Sequence, residues 1–394
     1  MCDVPSIEPL GRNTKFVASE QASSETSFRF QLLQAAQRLL VPDDHRVKVC
    51  HSWLLPGASH VDIFHNPDEK TAHYANLMTC GNVWVCPVCG RKITERRREE
   101  LTEALDLARD RFLPVLVTWT VQHSIDDQLD GLLAGMLDAY RKMKMRRDWR
   151  VMREEYGWAG SVRTTEVTYG DNGWHVHMHE IAFLDRAVLS DVFTPPVIAD
   201  SLQNALSRLW IDALSRNGLT ASWAHGVDVR TAYGDVMDYV AKFGRLPRET
   251  SDKWTMAHEV AKAPVKRSRK GGRTPFELLA DYDQGDKQAG ALFREYAHAF
   301  KGRRQLIFSR GLRDLLGMGE SELDQDIAAE VETDSLPLAS LSRYQWGVVL
   351  RNGARGAVLA LATLGDYDRL ESFLAGLPGM AATSCLFYPH RGKI

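Results

Sequence analysis

Apolar residues along the chain switch between two spacings, and the switches outline its elements. Ser27 to Leu40 repeats them at helical intervals and stops at Val41-Pro42. Thr94 to Asp110 reads as a charged amphipathic helix, and Leu113 to Val121 is apolar enough for a buried strand. Asp126 to Met145 returns to helical spacing, with acid at its start and base at its end, as the helix dipole favours. Period two then takes over in Ser161 to Thr168 and Trp174 to Phe183. Between them Asp171-Asn172-Gly173 tolerates positive φ, so the pair reads as a β-hairpin. Thr194-Pro195-Pro196 opens a helix that reaches Arg216 and closes at Asn217-Gly218. Val227 to Arg230 is a short strand and Asp235 to Lys242 a helix. Helices follow near Pro275 to Tyr282 and Asp286 to Phe300, then a strand at Arg304 to Ser309 and a Leu- and Ala-rich helical stretch from Ser340 to Leu377. This order predicts an α+β fold with an antiparallel sheet and helices on one side.

The hairpin concentrates the chemistry. Residues two apart in a strand share a face, so His175, His177 and His179 point one way and Val176 and Met178 the other. Folding about Asn172 brings Glu166 opposite His177 and His179. Two imidazoles and a carboxylate on one face make a three-ligand divalent-metal site with positions left for substrate. One histidine would be a polar strand face; three alternating ones opposite a glutamate favour the ligand reading. Downstream, a helix puts Asp235, Tyr239 and Lys242 on one side at i, i+4 and i+7. A tyrosine hydroxyl can attack a phosphodiester, but its free pKa of ~10 demands a nearby cation, Lys242 or the metal. Taken by itself, Tyr239 also fits an amphipathic core position.

Cysteine spacing adds a second metal. Cys86 and Cys89 form a knuckle with Cys80 upstream, and with six Cys in the chain a metal thiolate is favoured over disulfides. A tetrahedral zinc site needs a fourth donor, for which Cys50 is chosen, with His51 and His73 as alternatives. Pro87 and Gly90 suit the tight turns that let N–H groups approach sulfur. Cys2 and Cys385 stay unassigned.

Composition is that of an ordinary soluble protein, with 44% hydrophobic and 25% charged residues. No apolar run approaches membrane-spanning length and the N-terminus lacks a signal pattern, so a cytoplasmic protein without membrane contact is expected. The net charge of -2 hides segregation: Arg91–Arg98, Arg141–Arg150 and Lys262–Arg273 are basic, while Glu320–Asp334 is acidic. Basic runs around a phosphate-cutting centre point to DNA contact, through Arg141, Lys142, Arg146, Arg147, Lys266 and Arg267. The expected layout is a flexible leader (1–25), a helix with a zinc module (26–98), a main domain (99–317), an acidic linker (318–336) and a helical appendage (337–394).

His177-Met-His179 with a later Tyr239-Val-Ala-Lys242 resembles the HUH endonucleases, specifically the rolling-circle replication initiators of bacterial plasmids. Cys80-Gly-Asn-Val-Trp-Val-Cys-Pro-Val-Cys89, Phe112-Leu-Pro-Val-Leu-Val-Thr118 and Lys301-Gly-Arg-Arg-Gln-Leu-Ile-Phe-Ser309 are similar to the actinobacterial plasmid branch. Together the motifs span Cys50 to Gly317 in the family's order. The resemblance implies a ferredoxin- or RRM-like palm as the main, nicking domain. It implies His177 and His179 as the metal pair, Glu166 as third ligand, Tyr239 as nucleophile and Lys242 as its helper. Asp235 stands where some single-tyrosine initiators activate water at termination, with Asp238 the alternative. Val176 replaces a frequent Pro and Glu180 an apolar residue; both face away from the metal.

The activity so implied is site-specific nicking of a bacterial plasmid's replication origin, single-stranded or hairpin, with catalytic Mg²⁺ or Mn²⁺ and structural Zn²⁺. A 5′-phosphotyrosyl link preserves the strand for rejoining, and the 3′-OH primes synthesis by host helicase and polymerase. The rivals are an HUH relaxase or single-strand transposase, and, further off, a non-catalytic zinc DNA-binding regulator or a metallophosphodiesterase using water throughout.

Overall fold

The computed structural model describes residues 14–40, 45–189, 195–231, 233–242, 272–330, 334–380 and 386–387. The chain divides into two compact units, Met1–Cys80 with Ala329–Ile394, and Gly81–Ala328. It opens with α1 (Thr14–Leu40), β1 (His60–Asn66) and β2 (Thr71–Ala75). The second unit runs through α2 (Pro87–Ala108), β3 (Phe112–Thr120), α3 (Leu129–Met145), α4 (Arg147–Glu155), β4 (Trp158–Gly170) and β5 (Gly173–Asp185). It continues with α5 (Pro195–Ser215), β6 (Val227–Arg230), α6 (Tyr233–Lys242), α7 (Pro275–Asp283), α8 (Lys287–Ala299) and β7 (Ile307–Phe308). Near its other end the chain re-enters the first unit as β8 (Leu336–Ser342), three helices between Arg343 and Ala375, and β9 (Leu386–Phe387).

The second unit is built on a five-stranded antiparallel sheet in the order β6-β3-β5-β4-β7. β4 and β5 form the expected hairpin, closed where Gly170 pairs Gly173 around Asp171-Asn172. Gly173 has φ +86°, and a Cβ there would lie 2.7 Å from the Ser124 carbonyl oxygen, so the loop after β3 sits tightly on the turn. Pro114 lies in β3 ahead of the stretch that β6 covers, Leu116 to Trp119, so its missing N–H breaks no ladder bond on that side. The strand expected over Arg304 to Ser309 is limited to Ile307–Phe308, paired with Val162 and Arg163.

Helices on one side of the sheet were expected; they cover both. β3 explains why: nearly every residue from Phe112 to Trp119 is apolar and buried, so neither face can be left to water. On one face Phe112, Leu116, Val162, Ile181 and Phe183 pack with Leu101 and Leu105 of α2 and Val236 and Val240 of α6. On the other, Tyr140 of α3 and Trp210 of α5 meet Trp119 edge-on at 5.8 and 5.3 Å.

The first unit has a four-stranded antiparallel sheet, order β2-β1-β8-β9, with β8 pairing β1 across most of the chain's length. Arg355 is buried there and donates to the carbonyls of Cys50 and His51, to Ser52 Oγ and to Gln37 Oε1. Gln37 Nε2 bonds the Val47 and Cys50 carbonyls in turn, so the loop carrying Cys50 is fixed by its backbone oxygens. Among the described residues no helix is long and apolar enough to cross a membrane.

Candidate active site

One face of the second unit's sheet gathers the polar residues that alternation predicts. Glu166 stands directly across from His177, and Thr164 across from His179. From the other side β3 sets Thr118 opposite His179 and Thr120 opposite His177. His177 Nε2 lies 3.3 Å from Glu166 Oε2, and His179 Nε2 lies 3.7 Å from the same oxygen. The imidazole side chains are 16% exposed and Glu166 is 40% exposed, so the group opens to solvent on its carboxylate side.

These groups set one another's protonation. Burial alone would push the Glu166 carboxyl up, but the hydrogen bond from His177 and the nearby imidazoles outweigh it and hold it below its ordinary value. Burial takes His179 down to about 4, with His177 adding to that shift against the pull of Glu166. His179 is therefore neutral at physiological pH and carries a lone pair on one ring nitrogen. Thr118 Oγ1 lies 3.1 Å from Nδ1 and Glu166 Oε2 3.7 Å from Nε2, so each ring nitrogen has an oxygen beside it. His177 Nδ1 is buried without a hydrogen-bond partner among the described residues, so no contact at that atom dictates its tautomer.

The donor atoms of Glu166, His177 and His179 all lie within 4.8 Å of one another, a spacing one cation can bridge. Two imidazoles and a carboxylate are the donor chemistry of a divalent metal, so the residues fit the ion.

Tyr239, on α6, reaches the same group. Its hydroxyl donates to Glu166 Oε1 at 3.4 Å, and its ring lies 4.7 Å from that of His179. Burial, and then the charge of Glu166, push the phenol well above its ordinary value. The helix backbone includes positions 235 and 242, but the side chains of Asp235 and Lys242 lie outside the described residues, as does that of Asp238. His175 continues the row in the other direction, 5.1 Å ring to ring from His177 and 5.2 Å from His123.

The basic residues are placed less simply. Arg141 and Lys142 both pair with Asp138, at 2.7 and 2.6 Å, and Arg146 pairs with Asp148 and Asp212. With exposed Arg147 they belong to α3, α4 and the junction between them, in the helical layer behind the histidine face. Arg96 and Arg97 of the earlier basic run hold Glu322 and Asp324, within the stretch expected as an acidic linker. Lys266 and Arg267 lie outside the described residues.

Three features escaped the sequence reading. Thr118 is one; the alternation of Val117-Thr118-Trp119-Thr120 holds the signal, since it puts both threonines on the histidine face. His123 is another, its Nδ1 2.9 Å from the Asn172 carbonyl. The third surrounds Glu180, fully buried on the opposite face and bonded by Trp119 Nε1 at 2.9 Å, Tyr140 OH at 2.5 Å and Lys144 Nζ at 2.6 Å.

The four cysteines expected to bind zinc are buried. In the first unit Cys50 and Cys80 bring their sulfurs within 4.8 Å of each other, and in the second Cys86 and Cys89 do the same. Cys86 caps α2, its sulfur accepting the Cys89 N–H at 3.4 Å. A Cβ on Gly90 would lie 2.8 Å from the Val83 carbonyl oxygen, so that turn needs glycine. His73 is stacked on Phe64, ring centroids 5.3 Å apart.

Fold and site thus define an α+β protein whose antiparallel sheet presents a group able to hold a metal ion. The chain belongs to the Replication protein family, whose sequence profile matches residues 73–347. Protein rep of Streptomyces lividans is 28% identical over 345 residues, covering 71% of this chain and 74% of the relative. The Neomycin resistance protein of Streptomyces cyanogenus is 28% identical over 190 residues, 40% of this chain and 42% of the relative. No solved structure matches. Family and relatives support a plasmid replication initiator.

Proposed function

We propose that this replication protein starts plasmid synthesis by nicking one strand of the origin with Tyr239 as nucleophile. The observation that carries the reading is the convergence of the Tyr239 hydroxyl, 3.4 Å from Glu166, on a carboxylate that also faces His177 and His179. Glu166, His177 and His179 would hold Mg²⁺ or Mn²⁺. A cation there supplies charge neutralisation for the scissile phosphate and for Glu166.

The difficulty the protein has to overcome is forming the phenolate. Even a phenol with the ordinary pKa of ~10 costs roughly 4 kcal/mol to ionise at neutral pH, and burial beside Glu166 adds to that. Neutralising Glu166 removes the second contribution, and Lys242, one turn further along α6, is the proposed helper charge. Tyr239 Oη then bonds to phosphorus as the P–O3′ bond breaks, leaving a free 3′-OH and a 5′-phosphotyrosyl link. The 3′-OH primes host polymerase behind a host helicase. The link keeps the bond energy for rejoining, with Asp235 the proposed base for water at termination. The substrate is single-stranded or extruded as a hairpin, because the hydroxyl must reach the backbone in line. Cys50, Cys80, Cys86 and Cys89 are proposed to hold one structural zinc, supported by the two buried pairs and by the five-residue spacer between Cys80 and Cys86.

The test is a covalent adduct. Wild-type protein with an origin oligonucleotide and Mn²⁺ is expected to give a denaturation-resistant protein–DNA band. Tyr239→Phe is expected to abolish the band while leaving oligonucleotide affinity within about threefold, since only one hydroxyl is lost. Adduct formation that persists in the Tyr239→Phe protein rules the assignment out.

A further inference from the structure

The sequence around His179 contains a charge that packing does not ask for. On the face of β5 away from the histidines, Val176, Met178, Ala182 and Leu184 are all apolar and fully buried, and Glu180 interrupts them with no exposure at all. A buried carboxylate–ammonium pair is commonly no more stabilising than apolar residues of the same volume, because both charges lose their hydration. Stability alone therefore does not account for this glutamate.

Its partners come from separate elements. Trp119 of β3 donates to Oε2 at 2.9 Å; Tyr140 and Lys144, one turn apart on α3, donate to Oε1 at 2.5 and 2.6 Å. Arg163 of β4 is the cross-strand neighbour of Glu180, its guanidinium 5.2 Å from the Tyr140 ring. Lys144 is caged in turn, its ammonium 4.5 Å from the Tyr140 ring, 4.9 Å from Trp149 and 5.3 Å from Trp158. Both carboxylate oxygens are thus engaged, from two directions.

The location gives the knot its purpose. Trp119 follows Thr118 and Glu180 follows His179, and Thr118 and His179 are cross-strand partners. The Trp119–Glu180 bond therefore ties β3 to β5 diagonally across the rung where Thr118 Oγ1 lies 3.1 Å from His179 Nδ1, with Trp119 on its Met178 side and Glu180 on its Val117 side. Groups that orient a ligating imidazole change metal affinity by about 10–100-fold when removed. We infer that Glu180, acting with Trp119 and Lys144, is a positioning residue that sets the β3–β5 spacing and so aims His179 at the metal. The inference rests on the metal reading of Glu166, His177 and His179.

The experiment measures Mn²⁺ affinity by electron paramagnetic resonance, with thermal unfolding alongside, on metal-free protein. The paired substitution Glu180→Leu with Lys144→Met exchanges the buried charges for apolar groups but leaves Trp119 Nε1 and Tyr140 OH without their acceptor, so it is expected to fold with a lowered unfolding temperature. It is expected to weaken Mn²⁺ binding about tenfold or more. Glu180→Gln, which keeps the volume and can still accept from Trp119, is the second variant, expected to fold and to show a smaller loss in the same direction. Thr118→Val should weaken Mn²⁺ on its own, and combined with the paired substitution should add less than its separate effect, since both act through one imidazole. Mn²⁺ affinity unchanged in folded Glu180 variants, or full additivity with Thr118→Val, overturns the inference. A wild type that takes up no Mn²⁺ overturns the metal reading and this inference together.

Discussion

His179 is constrained on three sides: Thr118 at Nδ1, Glu166 3.7 Å from Nε2, and the Tyr239 ring at 4.7 Å. Burial keeps it neutral, with its value drawn down to about 4, so the lone pair is present throughout the physiological range. Replacing it should cost more than the roughly 10–100-fold typical of groups that merely orient a ligand. His179→Ala is accordingly expected to lower Mn²⁺ affinity by more than about 100-fold in a calorimetric titration; an affinity within about threefold of wild type would remove His179 from the ligand set. Arg141 and Lys142 are i+3 and i+4 from Asp138 and pair with it, a contact visible in the sequence once the helix is drawn.

At the level of elements, the hairpin was legible because its information is local. Period-two alternation, two strands of matching length and a turn of Asp-Asn-Gly set the register, and that register alone puts Glu166 across from His177. The turn also meets a neighbour the alternation could not announce. Gly173 and Gly57 have nearly the same φ, +86° and +87°, but a Cβ at Gly173 would lie 2.7 Å from a backbone oxygen while one at Gly57 would meet nothing within 4 Å. Gly57→Ala should therefore cost only the left-handed conformation, about 1–2 kcal/mol. Gly173→Ala should cost distinctly more, about 2–4 kcal/mol in urea unfolding, because the loop after β3 must also move. Equal costs would mean that the loop is not clamped on the turn. The covering of both sheet faces escaped the sequence reading because element order says nothing of which face a helix takes. The composition of β3 did hold that information, since a strand apolar at nearly every position has no face to spare for water. Glu180 looked like a disturbance for the opposite reason: its partners Tyr140 and Lys144 are some forty residues upstream, and no local pattern links them.

Across the whole molecule, what the sequence could not supply is pairing at long range. β8 lies beside β1, so a stretch read as an appendage contributes a strand to the sheet of the first unit, and Arg355 reaches the loop of Cys50. Nothing in the spacing of Leu336 to Ser342 names that partner. The grouping of polar side chains travelled better than the architecture, because it follows from strand alternation and one hairpin register. Glu166, His177, His179 and Tyr239, separated by up to 73 residues, come together in the second unit. The most direct measurement is to incubate the full chain with a single-stranded origin oligonucleotide and Mn²⁺, digest the adduct and map the modified peptide by mass spectrometry. The nucleotide is predicted on Tyr239, through a 5′-phosphate, and only when metal is present. A nucleotide on another residue, or cleavage without any adduct, would contradict the account.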